Sequence, residues 1–252
     1  MAARWPFLDH PGPLAFAHRG GAGEWPENTM PAFEHAVALG YRYLETDVHA
    51  TSDGVLVAFH DDHLDRVTDR GGTIGALPWS EVRGARVSGE PIPLLEDLLG
   101  TWPDVRVNVD AKHDAAVEPL AAILDRTEAH DRVCVAAFSD TRLARFRRLT
   151  AGRVCTATGP REIARLRVAS YGVPTGALVG ACAQVPVRHR RVRLVDRLFL
   201  AAAHRRGRHV HVWTIDAPRE MERLLDLGVD GLMTDRPAVL KEVLQRRGQW
   251  TG

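Results

Sequence analysis

The chain has 252 residues, 45% hydrophobic and 26% charged, with a formal net charge of +1. A balance this close to neutral excludes a dedicated nucleic-acid binder, whose grip on phosphates needs a large basic surplus. The length suits one α/β barrel domain, and no segment approaches the ~20 apolar residues of a membrane span.

The first residues, interrupted by Pro6, Pro11 and Pro13, hold no apolar stretch of signal-peptide length, so a cytoplasmic protein is expected. From there, short apolar or β-branched runs alternate with helical patterns, as in repeated βα units around a parallel sheet. Eight runs read as strands: 14–18, 43–47, 105–110, 133–138, 153–157, 182–186, 209–214 and 230–234. The first helix is bounded by Asn28 or Thr29 as cap, Pro31 in its first turn and Gly40 as stop. Further helices are expected near 114–128, 140–149, 195–206, 217–227 and 237–246. Together these describe a (β/α)8 TIM barrel, a single domain over 1–252, with its site at the carboxyl ends of the strands.

The run 55–59 lies too close to 43–47 to be the next barrel strand, because a parallel crossover needs about a dozen residues. Ser52-Asp53-Gly54 is instead a hairpin signal, which returns the chain so that residue 60 stands roughly across from residue 47. Residues 61–104 then form a long excursion rich in glycine and proline, expected as a small insertion subdomain or lid after the second strand. The stretch Arg188 to Arg197 is strongly basic; it reads either as a solvated lead into a helix or as a site of attraction to an anionic head group or membrane surface. Cys134, Cys155 and Cys182 are widely spaced and form no CxxC pair, so reduced, buried thiols are expected.

The chemistry gathers at strand ends. His18 closes the first run and is followed by Arg19 and two glycines, where backbone can approach a ligand closely. A guanidinium there can hold phosphate through two hydrogen bonds. Glu45 and Asp47 are two apart on the second run and share a face. Two such carboxylates suit a hard cation, Mg²⁺ or Ca²⁺, but would equally serve as strand-end acids paired to arginine. Asp110 and Lys112 repeat the spacing on the third run, as a further ligand and a phosphate partner or as a simple ion pair. His60 ends the hairpin arm, and Trp213 in the seventh run either walls the pocket or fills the barrel.

In order and spacing, His18-Arg19-Gly20, Pro26-Glu27-Asn28-Thr29, Glu45-Thr46-Asp47, Asp53-Gly54, His60-Asp61, Ile92-Pro93-Leu94-Leu95-Glu96, Asn108 to Lys112, Trp213-Thr214 and Gly228 to Asp235 resemble the glycerophosphodiester phosphodiesterase family. The resemblance implies a barrel with an insertion after the second strand. It implies His18 and His60 as the catalytic acid/base pair, Glu45, Asp47 and Asp110 as ligands of a divalent cation, and Arg19 and Lys112 as the phosphate's partners. The expected reaction is metal-dependent hydrolysis of a small-molecule glycerophosphodiester to glycerol 3-phosphate and an alcohol. Lysophospholipase D-type hydrolysis, with peripheral membrane contact, and a catalytically silent phosphodiester-binding barrel are the alternatives. Two positions depart from the family. Asp110 stands where glutamate is usual and is shorter by one carbon–carbon bond, about 1.5 Å. Asp216 replaces an asparagine, adding negative charge near the mouth that would favour cationic head groups such as choline.

Overall fold

A computed structural model describes residues 5–251. Eight parallel strands form the barrel: β1 (Leu14–Ala17), β2 (Tyr43–Ala50), β3 (Arg106–Ala111), β4 (Val133–Ala136), β5 (Cys155–Thr156), β6 (Cys182–Pro186), β7 (His209–Trp213) and β8 (Gly231–Thr234). Hydrogen bonding runs β5-β4-β3-β2-β1-β8-β7-β6. The remaining seam, between β5 and β6, is bridged by an isolated parallel pair, Ala157 with Cys182. This is the nearly closed (β/α)8 barrel expected from the strand count.

A helix follows each strand: α1 (Met30–Ala38), α2 (Leu95–Thr101), α3 (Val117–Arg126), α4 (Asp140–Leu149), α5 (Pro160–Ala169), α6 (Arg197–His204), α7 (Pro218–Leu227) and α8 (Pro237–Arg246). Thr29, rather than Asn28, caps α1, its hydroxyl accepting from the Ala32 N–H at 3.4 Å. α2 and α5 were not among the expected helices. α5 carries Pro160 in its first turn, after Gly159, and three arginines, so its apolar stripe is narrow.

Period-two alternation sorts the strand residues into two layers. Leu44, Val48, Val107, Val109, Val133 and Val135 point outward and pack under the helices. Leu14, Phe16, Tyr43, Cys134, Cys155 and Cys182 fill the interior. Phe7, from a short 3₁₀ turn, plugs the amino-terminal end of the barrel: its ring meets Tyr43 edge-on at 5.4 Å, and its carbonyl accepts the Tyr43 hydroxyl at 2.9 Å. With that end stoppered, the open end is the one bearing the carboxyl termini of the strands. All three cysteines are buried and free.

Residues Leu56–Ala58 pair antiparallel with β2, Ala58 opposite Val48, and the Phe59 N–H donates to the Asp47 carbonyl. The hairpin therefore forms as expected, with Asp47 one place from the anticipated partner, His60. The excursion that follows has a small core of its own, including Phe59, Leu64, Ile74, Val82 and Ile92, and a two-stranded ribbon at 86–87 and 90–91. It rejoins the barrel where α2 begins, ten residues before the end anticipated from sequence. Among the described residues, no helix is long and apolar enough to cross a membrane.

Candidate active site

The barrel mouth opens into a cavity of about 430 Å³. His18, Arg19, Glu45, Asp47, His60, Asp110, Lys112 and Trp213, the eight residues singled out from sequence, all line it. Its polar wall comes from β1, β2, β3 and the hairpin. The opposite wall is apolar: Phe138 after β4, Ile163 and Ala164 of α5, Val185 of β6, and Leu194.

Local backbone sets the first corner. The chain leaves β1 through a left-handed kink, with φ of 51° at Arg19, 82° at Gly20 and 110° at Gly21. A Cβ on Gly20 would lie 2.8 Å from that of Ala32, so only glycine lets α1 press against this turn. The kink aims the Arg19 amide at Glu45 Oε2, 3.1 Å away, and its side-chain Nε at Asp47 Oδ2, 3.0 Å away.

The Pro26-Glu27-Asn28-Thr29 motif works residue by residue. Glu27 Oε1 accepts from Arg19 at 3.2 Å, and Asn28 donates to Asp47 Oδ2 at 3.3 Å while accepting from the Thr46 hydroxyl at 2.8 Å. Thr29 starts the helix. A segment that looks like a loop thus braces the site from behind.

Both histidines are held in one way. His18 Nδ1 lies 2.6 Å from Asp235 Oδ1, and His60 Nδ1 lies 2.5 Å from Asp61 Oδ1. Each ring is thereby fixed at Nδ1 by an aspartate, which leaves Nε2 as the other ring nitrogen. Burial works against a charged His18, but Glu45, 3.7 Å from Nε2, and the Asp235 hydrogen bond raise its pKa above the ordinary value. Asp61 is bound by Arg66, which also grips Glu27 with two bonds of 2.7 and 3.0 Å. Although partial burial opposes it, the hydrogen bonds from Arg66 and His60 bring the Asp61 pKa down to about 2. A chain of hydrogen bonds and ion pairs therefore runs from His60 through Asp61, Arg66 and Glu27 to Arg19.

Asp235, Asp61, Glu27 and Arg66 were not assigned roles from sequence, although all but Arg66 lie in quoted family segments. His49 was likewise given none, yet its Nε2 lies 3.0 Å from the His60 carbonyl and anchors that backbone. Asp216 does not act as expected. It is absent from the cavity lining, and its Oδ1 accepts from the Thr234 hydroxyl at 2.9 Å and the Asp235 amide at 2.8 Å. Its charge braces Asp235 rather than the mouth.

The three carboxylates on β2 and β3 are nearly inaccessible. Glu45 is pushed up to about 7, first by burial and then by the neighbouring charge of Asp47. Burial would raise Asp47 too, but Lys112 and Arg19 hold it below the usual range. The Lys112 ammonium lies 2.7 Å from both Asp47 Oδ1 and Asp110 Oδ2, so the ion-pair reading of these residues is realised. Among the described residues, no three His, Cys, Asp or Glu side chains are arranged as a ready metal cage. The donor set nonetheless suits a hard divalent cation, being all oxygen. Asp110 Oδ1 is a buried acceptor without a hydrogen-bond partner, and Glu45 is a carboxylate whose charge its surroundings disfavour. Added positive charge would satisfy both.

The chain is similar to known proteins over most of its length. The profile of the Glycerophosphoryl diester phosphodiesterase family matches residues 18–239. The chain is 41% identical to a probable glycerophosphodiester phosphodiesterase 2 of Mycobacterium tuberculosis, over 98% of this chain and 96% of that one. It is 28% identical to human Lysophospholipase D GDPD1, over 90% and 85% of the two chains. Among solved structures, a putative glycerophosphoryl diester phosphodiesterase from Silicibacter pomeroyi superposes with a TM-score of 0.83 at 23% identity, covering 98% of this chain and all of the other. An Oleispira antarctica phosphodiesterase, solved with the product sn-glycerol-3-phosphate, superposes with a TM-score of 0.79 at 21% identity, covering 93% and 97%. The match spans most of the chain and includes every residue of the polar wall, and this chain therefore belongs to the glycerophosphoryl diester phosphodiesterase family.

Proposed function

We propose that this enzyme hydrolyses glycerophosphodiesters to glycerol 3-phosphate and an alcohol, with His18 and His60 as the acid/base pair. The observation that carries the reading is the matched clamping of the two rings, each bound at Nδ1 by an aspartate and both facing one cavity with Arg19. One imidazole deprotonates the nucleophile and the other protonates the departing alkoxide, a division of labour worth ~10²-fold or more in rate. Arg19 and Lys112 offset the charge on the phosphoryl oxygens. Glu45, Asp47 and Asp110 would hold a divalent cation, Mg²⁺ or Ca²⁺, which supplies Lewis-acid polarisation of the phosphoryl group when bound. The product named for the Oleispira antarctica relative and the activity named for the Mycobacterium tuberculosis one support the same substrate class.

The test is glycerol 3-phosphate release from glycerophosphocholine by metal-stripped protein, with and without added Mg²⁺ or Ca²⁺. Metal-dependent release that falls ~10²-fold or more in His18→Ala and in His60→Ala supports the reading. Near-normal turnover in both variants overturns the histidine mechanism, and full activity in chelator overturns the metal's part.

The apolar wall favours a second reading, lysophospholipase D-type action, since it offers a surface for an acyl chain beside the polar wall. The activity named for the human relative supports it. Comparing kcat/KM for lysophosphatidylcholine and glycerophosphocholine decides between them; a higher value for the former makes the lipid the substrate.

A further inference from the structure

The basic stretch after β6 is not absorbed by the reaction. Arg188–His189 and Val192–Arg193 pair as a small antiparallel ribbon, turned over by Arg190 in the left-handed conformation with φ of 53°. Asp196 then caps α6, accepting from the Phe199 amide at 2.9 Å. From Val187 to Leu198 the chain carries five arginines and one acid, Asp196, which is already bound by Arg167 at 2.8 Å. Arg188, Arg190, Arg191, Arg193 and Arg197 are all exposed, and among the described residues none of them closes an ion pair. Arg193 comes near enough to Glu220 to add, after Arg223, to the lowering of that carboxyl's pKa. Elsewhere on this surface some exposed arginines, such as Arg126, Arg145 and Arg246, are paired with glutamates, and others, such as Arg148 and Arg165, close no ion pair among the described residues; the stretch 188–197 stands apart by the density of its arginines.

The ribbon also belongs to the mouth. His189 and Leu194 line the cavity, and so does Phe138, which is 69% exposed and packs edge-on against Trp213 at 5.8 Å. Val192 and Leu198, within the basic stretch, are 51% and 54% exposed. Exposed apolar groups flanked by unpaired arginines suit a lipid–water interface, where the arginine stems lie along apolar surface and the guanidinium groups meet phosphate.

We propose that this ribbon and the first turn of α6 dock the cavity mouth onto an anionic lipid surface. The docking stands on the patch alone; its consequence, delivery of lipid substrate straight into the cavity, rests on the function proposed above. Each arginine near an anionic leaflet strengthens binding about fivefold.

The test is co-sedimentation of the full chain with vesicles of phosphatidylcholine alone or mixed with phosphatidylglycerol. Binding to the mixed vesicles that weakens as salt is raised supports the proposal. The double variant Arg190→Gln/Arg191→Gln should bind them roughly 25-fold less tightly, with unchanged melting and unchanged hydrolysis of soluble glycerophosphocholine. It should also hydrolyse lysophospholipid presented in mixed vesicles more slowly than wild type does. Absence of binding by wild type, equal binding to neutral vesicles, or undiminished binding by the variant overturns the proposal. Loss of glycerophosphocholine hydrolysis in wild type itself would refute the catalytic reading and leave the vesicle result to be judged by itself.

Discussion

Asp235 offers the sharpest test of how the site is organised. Its Oδ1 lies 2.6 Å from His18 Nδ1, while its side chain is 28% exposed and absent from the cavity lining. It can therefore act on catalysis only through His18. A hydrogen bond to a charged group contributes ~1.5–3 kcal/mol, against ~0.5–1.5 for a neutral pair. Asp235→Asn keeps the shape and loses the charge, a deficit of about 1–2 kcal/mol, or ~5- to 30-fold in kcat if the imidazolium forms in the rate-limiting step. Asp235→Ala removes the partner altogether and should cost ~10- to 150-fold. Asp216→Asn is the control, because an amide oxygen can accept from Thr234 and the Asp235 amide as Asp216 Oδ1 does. The assay is steady-state glycerol 3-phosphate release with kcat and KM resolved, alongside thermal melting. A kcat near wild type for both Asp235 variants, with melting intact, would refute the idea that the aspartate orients His18.

Three other perturbations follow from the same geometry. Lys112→Met leaves Asp47 and Asp110 facing each other without the ammonium that joins them, and should destabilise the fold by about 3 kcal/mol in chelator; added Ca²⁺ should then raise the melting temperature of the variant more than that of wild type, as differential scanning fluorimetry will show. For Glu45, the folded pKa of about 7 lies above its ordinary value of 4.5, so the folded chain holds a proton that the unfolded chain releases. That contribution is present below about 4.5 and lost as pH rises through about 7. The melting temperature of wild type relative to Glu45→Gln should accordingly fall across that window in chelator, and a rise would contradict the assignment. Arg66→Ala frees both Asp61 and Glu27 on an exposed side of the network and should lower kcat by ~3- to 10-fold with little change in melting, the loss of two largely solvent-screened ion pairs; single-turnover kinetics will separate this from slowed product release.

The strands and the eight cavity residues were legible because they obey local rules. Alternation alone sends Glu45, Asp47, Asp110 and the strand-end histidine inward, and Asp53-Gly54 announces the hairpin. What stayed hidden was set by distance along the chain. His18 and Asp235 are 217 residues apart and meet only because β1 and β8 are neighbours in the closed sheet. Arg66 lies in an excursion whose path no periodicity specifies, and α5 presents too narrow an apolar stripe to be recognised as a helix. Asp216 misled for a related reason: its charge could be counted in sequence, but not the Asp235 amide that donates to it.

The seam between β5 and β6 gives the barrel a directional softness. β2 and β3 are in register over six residue pairs, whereas β5 has two residues and meets β6 through one isolated bridge. Two backbone hydrogen bonds cross nearby, from Thr158 to Cys182 and from Ala181 to Thr156, each 2.8 Å. Amide protons there should exchange with solvent sooner than those of β2 and β3, where each opening must break a longer ladder. Ala157, Thr158 and Val185 at this seam also line the apolar wall. The polar wall of the cavity thus sits on the stiff arc of the barrel and the apolar wall on the arc that can breathe; under the proposed function, a bulkier leaving group would strain the part of the sheet farther from the paired histidines.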